Sequence, residues 1–144
     1  MIRGLLLLLY NVLLIGLALE DVKFRKIRNT YTTGIVILAV CAIFVIPEIT
    51  LWSRILGMFV ISVPMGCVAI IRPGSFGGGD IKLTFACGAF LGMKLLVTGT
   101  VVAIFLAGSY CLCMICAKKV RGNVQFALGP FLSIGYIITA YKLL

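Results

Sequence analysis

Apolar residues fall into six blocks along this chain, at about 4–20, 31–47, 55–71, 81–97, 99–117 and 124–143, and the stretches between them carry charge or glycine. Each block approaches the roughly 20 residues that a helix needs to cross a hydrocarbon core. The pattern predicts an all-α, polytopic membrane protein with six transmembrane helices, forming a single membrane-embedded domain over residues 1–144. The fourth and fifth blocks are the least sharply divided. A helix ending at Gly92 would measure about 18 Å against a core of about 30 Å. Either Lys94 snorkels from within the fourth helix, or that helix starts below the membrane surface. The first block, with Arg3, its leucine run and Gly16-Leu17-Ala18, also has the outline of a signal peptide. Against that reading, Lys23, Arg25, Lys26 and Arg28 follow the block and should hold that end inside, away from a signal peptidase.

Composition supports the membrane reading. Hydrophobic residues make up 62% of the chain and charged residues 12%, against about 25% charged in a soluble domain. The net charge of +9 does not imply nucleic acid, because the thirteen Lys and Arg lie almost entirely between apolar blocks. There they orient a membrane protein and meet anionic lipid. Nine of them (Lys23, Arg25, Lys26, Arg28, Arg72, Lys82, Lys118, Lys119, Arg121) fall on one side of a six-span topology, and four (Arg3, Arg54, Lys94, Lys142) on the other. The richer side is expected in the cytoplasm. The six cysteines lie inside apolar blocks, where cysteine behaves as a small hydrophobe. Cys113 and Cys116 form a C-x-x-C, but no second pair and no histidine accompany it, so neither a metal nor another cofactor is expected.

Four acidic residues remain, and two are the chain's only aspartates. Asp21 follows the first block, in Leu19-Glu20-Asp21-Val22-Lys23; Asp80 opens the fourth, in Gly77-Gly78-Gly79-Asp80-Ile81-Lys82. Both fall on the cytoplasmic side of the six-span topology. A carboxylate at the end of an apolar span is a functional hypothesis by default, and two on one face suggest acid/base chemistry. Peptide hydrolysis by two carboxylates needs one ionised group to activate water and one protonated group to serve the carbonyl oxygen. With no histidine in the chain and no serine in a nucleophile-elbow setting, the pair is the available hydrolytic apparatus. Helix dipoles would favour an ionised Asp80 at a helix N-terminus and a protonated Asp21 near a C-terminal end. Glycines before Asp80 permit positive φ and close approach of an extended peptide, which a side chain at Gly77 or Gly79 would block. The alternative is that both aspartates merely pair with basic neighbours at the membrane surface.

Three segments make the chain resemble the prepilin peptidases, membrane aspartic proteases that process type IV pilin and pseudopilin precursors. In that family an aspartate after the first span of the core is followed by a basic stretch ending in Ile-Pro-Asn; here Asp21 leads to Ile27-Arg28-Asn29, with arginine for proline. The family's G-x-G-D-x-K is matched by Gly77, Gly79, Asp80 and Lys82, with Leu83 in keeping. A Pro-Phe-Gly-Pro-like element near the last helix is half kept in Leu128-Gly129-Pro130-Phe131-Leu132, with Ala127 where proline is usual.

The resemblance implies that Asp21 and Asp80 are the catalytic aspartates, with Gly77, Gly79 and Lys82 supporting the substrate. It implies an aspartic endopeptidase of a prokaryotic cytoplasmic membrane that removes a short basic leader from pilin-like precursors at the cytoplasmic face. The chain looks like the short peptidase-only form, without the N-methyltransferase activity and the two-cysteine-pair domain of larger members. The basic residues Lys23, Arg25, Lys26 and Arg28 would repel a basic leader unless turned away, so they are expected to face lipid headgroups. Two rivals stand beside this reading. A presenilin-like intramembrane protease shares the G-x-G-D, but typically pairs it with Tyr-Asp, and Glu20 precedes Asp21 here. A small proton-coupled transporter would also carry membrane carboxylates, though not both on one face.

Overall fold

A computed structural model describes residues 1–24, 28–117 and 128–143. The described residues form helices α1 (Ile2–Phe24), α2 (Asn29–Val45), α3 (Leu51–Val60), α4 (Ser62–Ile71), α5 (Gly78–Cys116) and α6 (Gly129–Ala140), with a 3₁₀ turn at Tyr141–Leu143. No strand occurs among them. Three stretches, Ile2–Phe24, Leu51–Ile71 and Gly78–Cys116, are long and apolar enough to cross a membrane, and Asn29–Val45 is a shorter apolar helix. Of the basic residues weighed from sequence, Arg25, Lys26, Lys118, Lys119 and Arg121 lie outside the described residues, as does Ala127.

The fourth and fifth predicted spans meet elsewhere than expected. They belong to α5, whose helical backbone is interrupted at Gly92 by φ 73° and ψ 171°. Positive φ suits glycine, and the surroundings demand it as well. A Cβ on Gly92 would lie 2.6 Å from Ile49 Cγ2 and 3.0 Å from Ser53 Oγ. The Met93 N–H donates to Ser53 Oγ at 3.2 Å, which caps the helix that restarts there.

The corner turns α5 back on itself. Thr84 Oγ1 and Thr100 Oγ1 lie 3.4 and 3.1 Å from the same Tyr136 hydroxyl. On a straight helix sixteen residues would hold them about 24 Å apart. Residues 78–91 and 93–116 are therefore two arms of a helical hairpin, about 21 and 36 Å long. The expected boundary between 97 and 99 moves to Gly92, and Lys94 belongs to the second arm.

Close backbone contact holds the bundle together, as small residues permit where helices pack in lipid. A Cβ on Gly57 of α3 would lie 2.7 Å from Gly88 O, and one on Gly88 would strike Gly57 O and lie 2.8 Å from Met58 N. Gly99 and Gly135 repeat the arrangement between the second arm and α6. Around these contacts lies a core of Leu14, Leu17, Ile35, Leu83, Phe90, Leu96, Leu132 and Tyr136. Tyr10 of α1 stacks on Phe90 with ring centroids 4.1 Å apart and an interplanar angle of 5°.

Arg54 closes the end of the bundle that holds the corner. It is only 2% exposed. Its Nη1 donates to Ala89 O and Phe90 O and its Nη2 to Ala42 O and Ile46 O, each at 3.0 Å. One guanidinium thus serves carbonyls at two helix C-termini, those of α2 and of the first arm. Its planar fork of donors suits that task. Arg54 was counted among the surface charges of its side, and here it is an internal tie. At the same end Arg3 donates to Val45 O at 3.1 Å and pairs with Glu48 at 2.8 Å.

Candidate active site

The opposite end of the bundle carries the carboxylates. Three helix ends converge there: the last turn of α1, the first turn of α5 and the first turn of α6. Helix α5 begins after Gly77, whose backbone is extended at φ −70° and ψ 138°. Asp80 occupies the third helical position, and its carboxylate faces the backbone N–H of Gly77. This is the returning half of a capping box, and it sets an anionic side chain at the positive end of a helix.

Asp21 lies near the end of α1 and is buried to 6% exposure, beside 8% for Asp80. Its carboxylate rests against Gly129 at the start of α6 and faces that residue's backbone N–H. A Cβ on Gly129 would strike Asp21 Oδ2. Pro130 beside it suits the first turn of a helix, where its missing N–H leaves no bond unmade. Asp21 and Asp80 are close enough to act on each other as like charges.

Asp21 lies in the last turn of α1 and Asp80 in the first turn of α5, the placement from which helix dipoles were expected to divide their roles, but a third helix end also bears on the pair. Helix α6 points its first turn at Asp21, which sets the positive end of a second helix against the negative end of α1. Both carboxylates gain from oriented N–H groups, and the helix ends no longer distinguish acid from base. The role foreseen for the glycines changes too. Positive φ occurs at Gly74 and Gly92, whereas Gly77 is extended and Gly78 and Gly79 are helical. What Gly77 provides is room: a Cβ there would lie 3.1 Å from Asp80 Oδ2, and one on Gly78 would meet nothing within 4 Å.

Lys82 is exposed, and its ammonium donates to Asn29 Oδ1 at 3.2 Å. It ties the first arm of α5 to the start of α2. Arg28, which precedes Asn29, has φ −71° and ψ 134°, the φ that a proline ring would fix. The backbone at Arg28 is therefore one that a proline could also adopt. Arg28 is also drawn to Glu20, at 3.7 Å, and Tyr31 donates to the same Glu20 oxygen at 3.3 Å. Lys23 is exposed, its ammonium 5.4 Å from the centroid of the Phe24 ring. Both described cations of the basic stretch therefore have partners other than the two aspartates.

Sequence reasoning did not foresee the polar column running from the carboxylates into the bundle. Thr84, one turn beyond Asp80, donates to Asp80 O at 2.8 Å, and the Tyr136 hydroxyl joins Thr84 to Thr100. Ser133 and Tyr136 follow Gly129 along one face of α6, and both are buried. Their signal in the sequence was hydroxyl residues at helical spacing from a glycine-proline start, inside blocks that read as wholly apolar. Among the described residues no cluster of His, Cys, Asp or Glu could hold a metal ion.

Residues 7–112 match the profile of the type IV leader peptidase family. No curated protein and no solved structure gave a match. The matched stretch covers both aspartates and most of the chain, and this chain belongs to the type IV leader peptidase family.

Proposed function

We propose that this protein is a membrane aspartic endopeptidase in which Asp21 and Asp80 form the catalytic pair, and that it removes the short basic leader of type IV pilin-like precursors. The observation that carries the reading is the meeting of the chain's only two aspartates, both buried, at the junction of three helix ends. Two carboxylates that repel each other in a desolvated site hold one proton between them. The ionised member takes a proton from the attacking water, and the protonated member gives one to the carbonyl oxygen. Gly77 and Gly78 leave the approach to Asp80 open to an extended peptide, while Gly79 and Lys82 complete the motif that sets Asp80 at its helix start.

Six crossings would follow if each arm of the α5 hairpin counts as one and the partly described α6 as another. The pair then lies on the side richer in Lys and Arg, which is the cytoplasmic face of a prokaryotic inner membrane. Burial of Arg54 strengthens that asymmetry, because it removes one of the four cations of the other side from contact with headgroups.

Purified protein in liposomes with a pilin-like precursor tests the reading. Asp21→Asn and Asp80→Asn should each lower cleavage by at least about 100-fold, the range of a lost general acid or base, without loss of helical content. Cleavage near the wild-type rate in either variant would remove the proposal.

A further inference from the structure

The two aspartates stand on helices whose backbones meet mainly through others. Among the described residues α1 packs on α2 and α6, and both of those pack on α5. The ring contact between α1 and α5, Tyr10 on Phe90, lies about 15 Å along the first arm from Asp80. The spacing of the carboxylates therefore depends on what α2 and α6 each grip. Through α2 the path runs from Glu20 to Tyr31 at 3.3 Å, and from Asn29 to Lys82 at 3.2 Å. Asn29 and Lys82 are both exposed, and there water competes for the contact.

Through α6 the path is buried. Gly129 lies against Asp21, and Tyr136, seven residues on, returns to the same face of α6 about 10 Å deeper in the bundle. Tyr136 is fully buried, and its ring rests on the second arm, where a Cβ on Gly99 would lie 2.8 Å from its Cδ1. From that seat its hydroxyl donates to Thr84 Oγ1 at 3.4 Å. Thr84 shares the face of Asp80 one turn along the first arm, and it gives its own proton to Asp80 O at 2.8 Å. Each hydroxyl has a single proton, so the chain of bonds runs from Tyr136 to Thr84 to Asp80 O. Thr100 stands at its inner end and has a second acceptor: it meets the Tyr136 hydroxyl at 3.1 Å and Leu96 O at 2.9 Å. Loss of Thr100 leaves the bond from Tyr136 to Thr84 in place.

We propose that Tyr136 is a positioning residue for the catalytic pair: it ties α6, whose first turn meets Asp21, to the arm that begins at Asp80, and so sets the distance between the two carboxylates. The inference rests on the peptidase reading above and adds to it the strut that keeps the pair in register. Tyr136 acts through Thr84 and through the docking of α6, not on the substrate. A shared proton needs that distance held, because two carboxylates titrate further apart the more strongly they interact. A displacement of about 1 Å caused away from the chemistry is enough to cost about 100-fold in rate.

The test uses the full chain in liposomes with a pilin-like precursor. Tyr136→Phe keeps the ring on Gly99 and removes the hydroxyl; it should lower kcat by about 3- to 30-fold with KM nearly unchanged. The two limbs of its pH profile should move towards each other, because carboxylates that drift apart interact less. Thr84→Val should reproduce both effects, and the double variant should lose little more than either single one. Thr100→Val is the control. It breaks a bond to the same tyrosine and should lower the unfolding midpoint by a similar few degrees, yet leave kcat and the width of the pH profile as in wild type. Wild-type kcat in Tyr136→Phe or Thr84→Val, a change confined to KM, or an equal loss of kcat in Thr100→Val overturns the positioning role and leaves the peptidase reading intact. Absence of cleavage by the wild-type protein removes the peptidase reading and this inference with it.

Discussion

Replacing Arg54 with methionine keeps the length of the side chain and removes the donors at the corner of the bundle. The guanidinium reaches four carbonyls, of which Ala42 O also takes the Ile46 N–H at 2.9 Å. Three carbonyls, those of Ile46, Ala89 and Phe90, depend on it more heavily. In an unbroken helix Ala89 and Phe90 would bond Met93 and Lys94, but the Gly92 corner interrupts that ladder and Met93 turns to Ser53. An orphaned buried carbonyl costs about 1–3 kcal/mol, so the gross loss is about 3–9 kcal/mol. Against it stands relief from burying a cation whose Nε has no partner, worth several kcal/mol. Taken as about 3 kcal/mol against the middle of that range, about 5–7 kcal/mol, it leaves a net destabilisation of about 2–4 kcal/mol. For a chain of this size that lowers the unfolding midpoint by about 8–16 °C, at roughly 4 °C per kcal/mol. Circular dichroism at rising temperature in a mild detergent measures it. Arg54→Lys should recover less than half of the loss, because one ammonium cannot span two helix ends as a planar fork does. A midpoint for Arg54→Met equal to or above wild type would refute the reasoning, since desolvation of the guanidinium would then outweigh the bonds it makes.

Gly77→Ala sets a methyl group 3.1 Å from Asp80 Oδ2; cleavage should fall by about tenfold, a barrier change of about 1.4 kcal/mol, with the unfolding midpoint nearly unchanged. Gly88→Leu, whose Cβ would strike the Gly57 backbone, should cost at least the about 1–3 kcal/mol of an overpacked core, seen as a lower midpoint or failure to purify. Tyr136→Phe removes the hydroxyl that joins Thr84 to Thr100 and should lower stability by about 1 kcal/mol, again read by thermal unfolding. The pH profile of kcat/KM should be bell-shaped: activity is lost at low pH when both carboxylates are protonated, and at high pH when the shared proton leaves. A flat profile through the acid range would argue against a shared proton.

Much of the helical layout could be read from hydropathy, because a block of apolar residues near 20 long has few other uses in a chain this poor in charge. The glycine motif and Asp21 were legible for a related reason: charged residues in such a background stand out. The corner at Gly92 was not. It falls inside an apolar run, and only the contacts of Ile49 and Ser53 with Gly92 reveal why the chain must turn there. Arg54 misled in the opposite direction, since a cation between two spans reads as a headgroup contact unless two helix ends happen to need its donors. Gly129 was visible as part of a family element, yet its place against Asp21 depends on α6 docking on α1, which spacing along the chain does not encode.

The hairpin in α5 bears on how the protein is made. Its first arm, about 21 Å long, is shorter than a hydrocarbon core of about 30 Å, and it ends in carbonyls that depend on a residue of α3. An arm of that length gains little by partitioning into lipid alone, so it should leave the translocon together with the second arm, after Arg54 is already in place. Biogenesis would then have an order: α3 waits in the bilayer and the hairpin closes on it. A nascent chain stalled just past Gly92 should remain extractable from the membrane at its newest segment, and become resistant once the second arm has emerged.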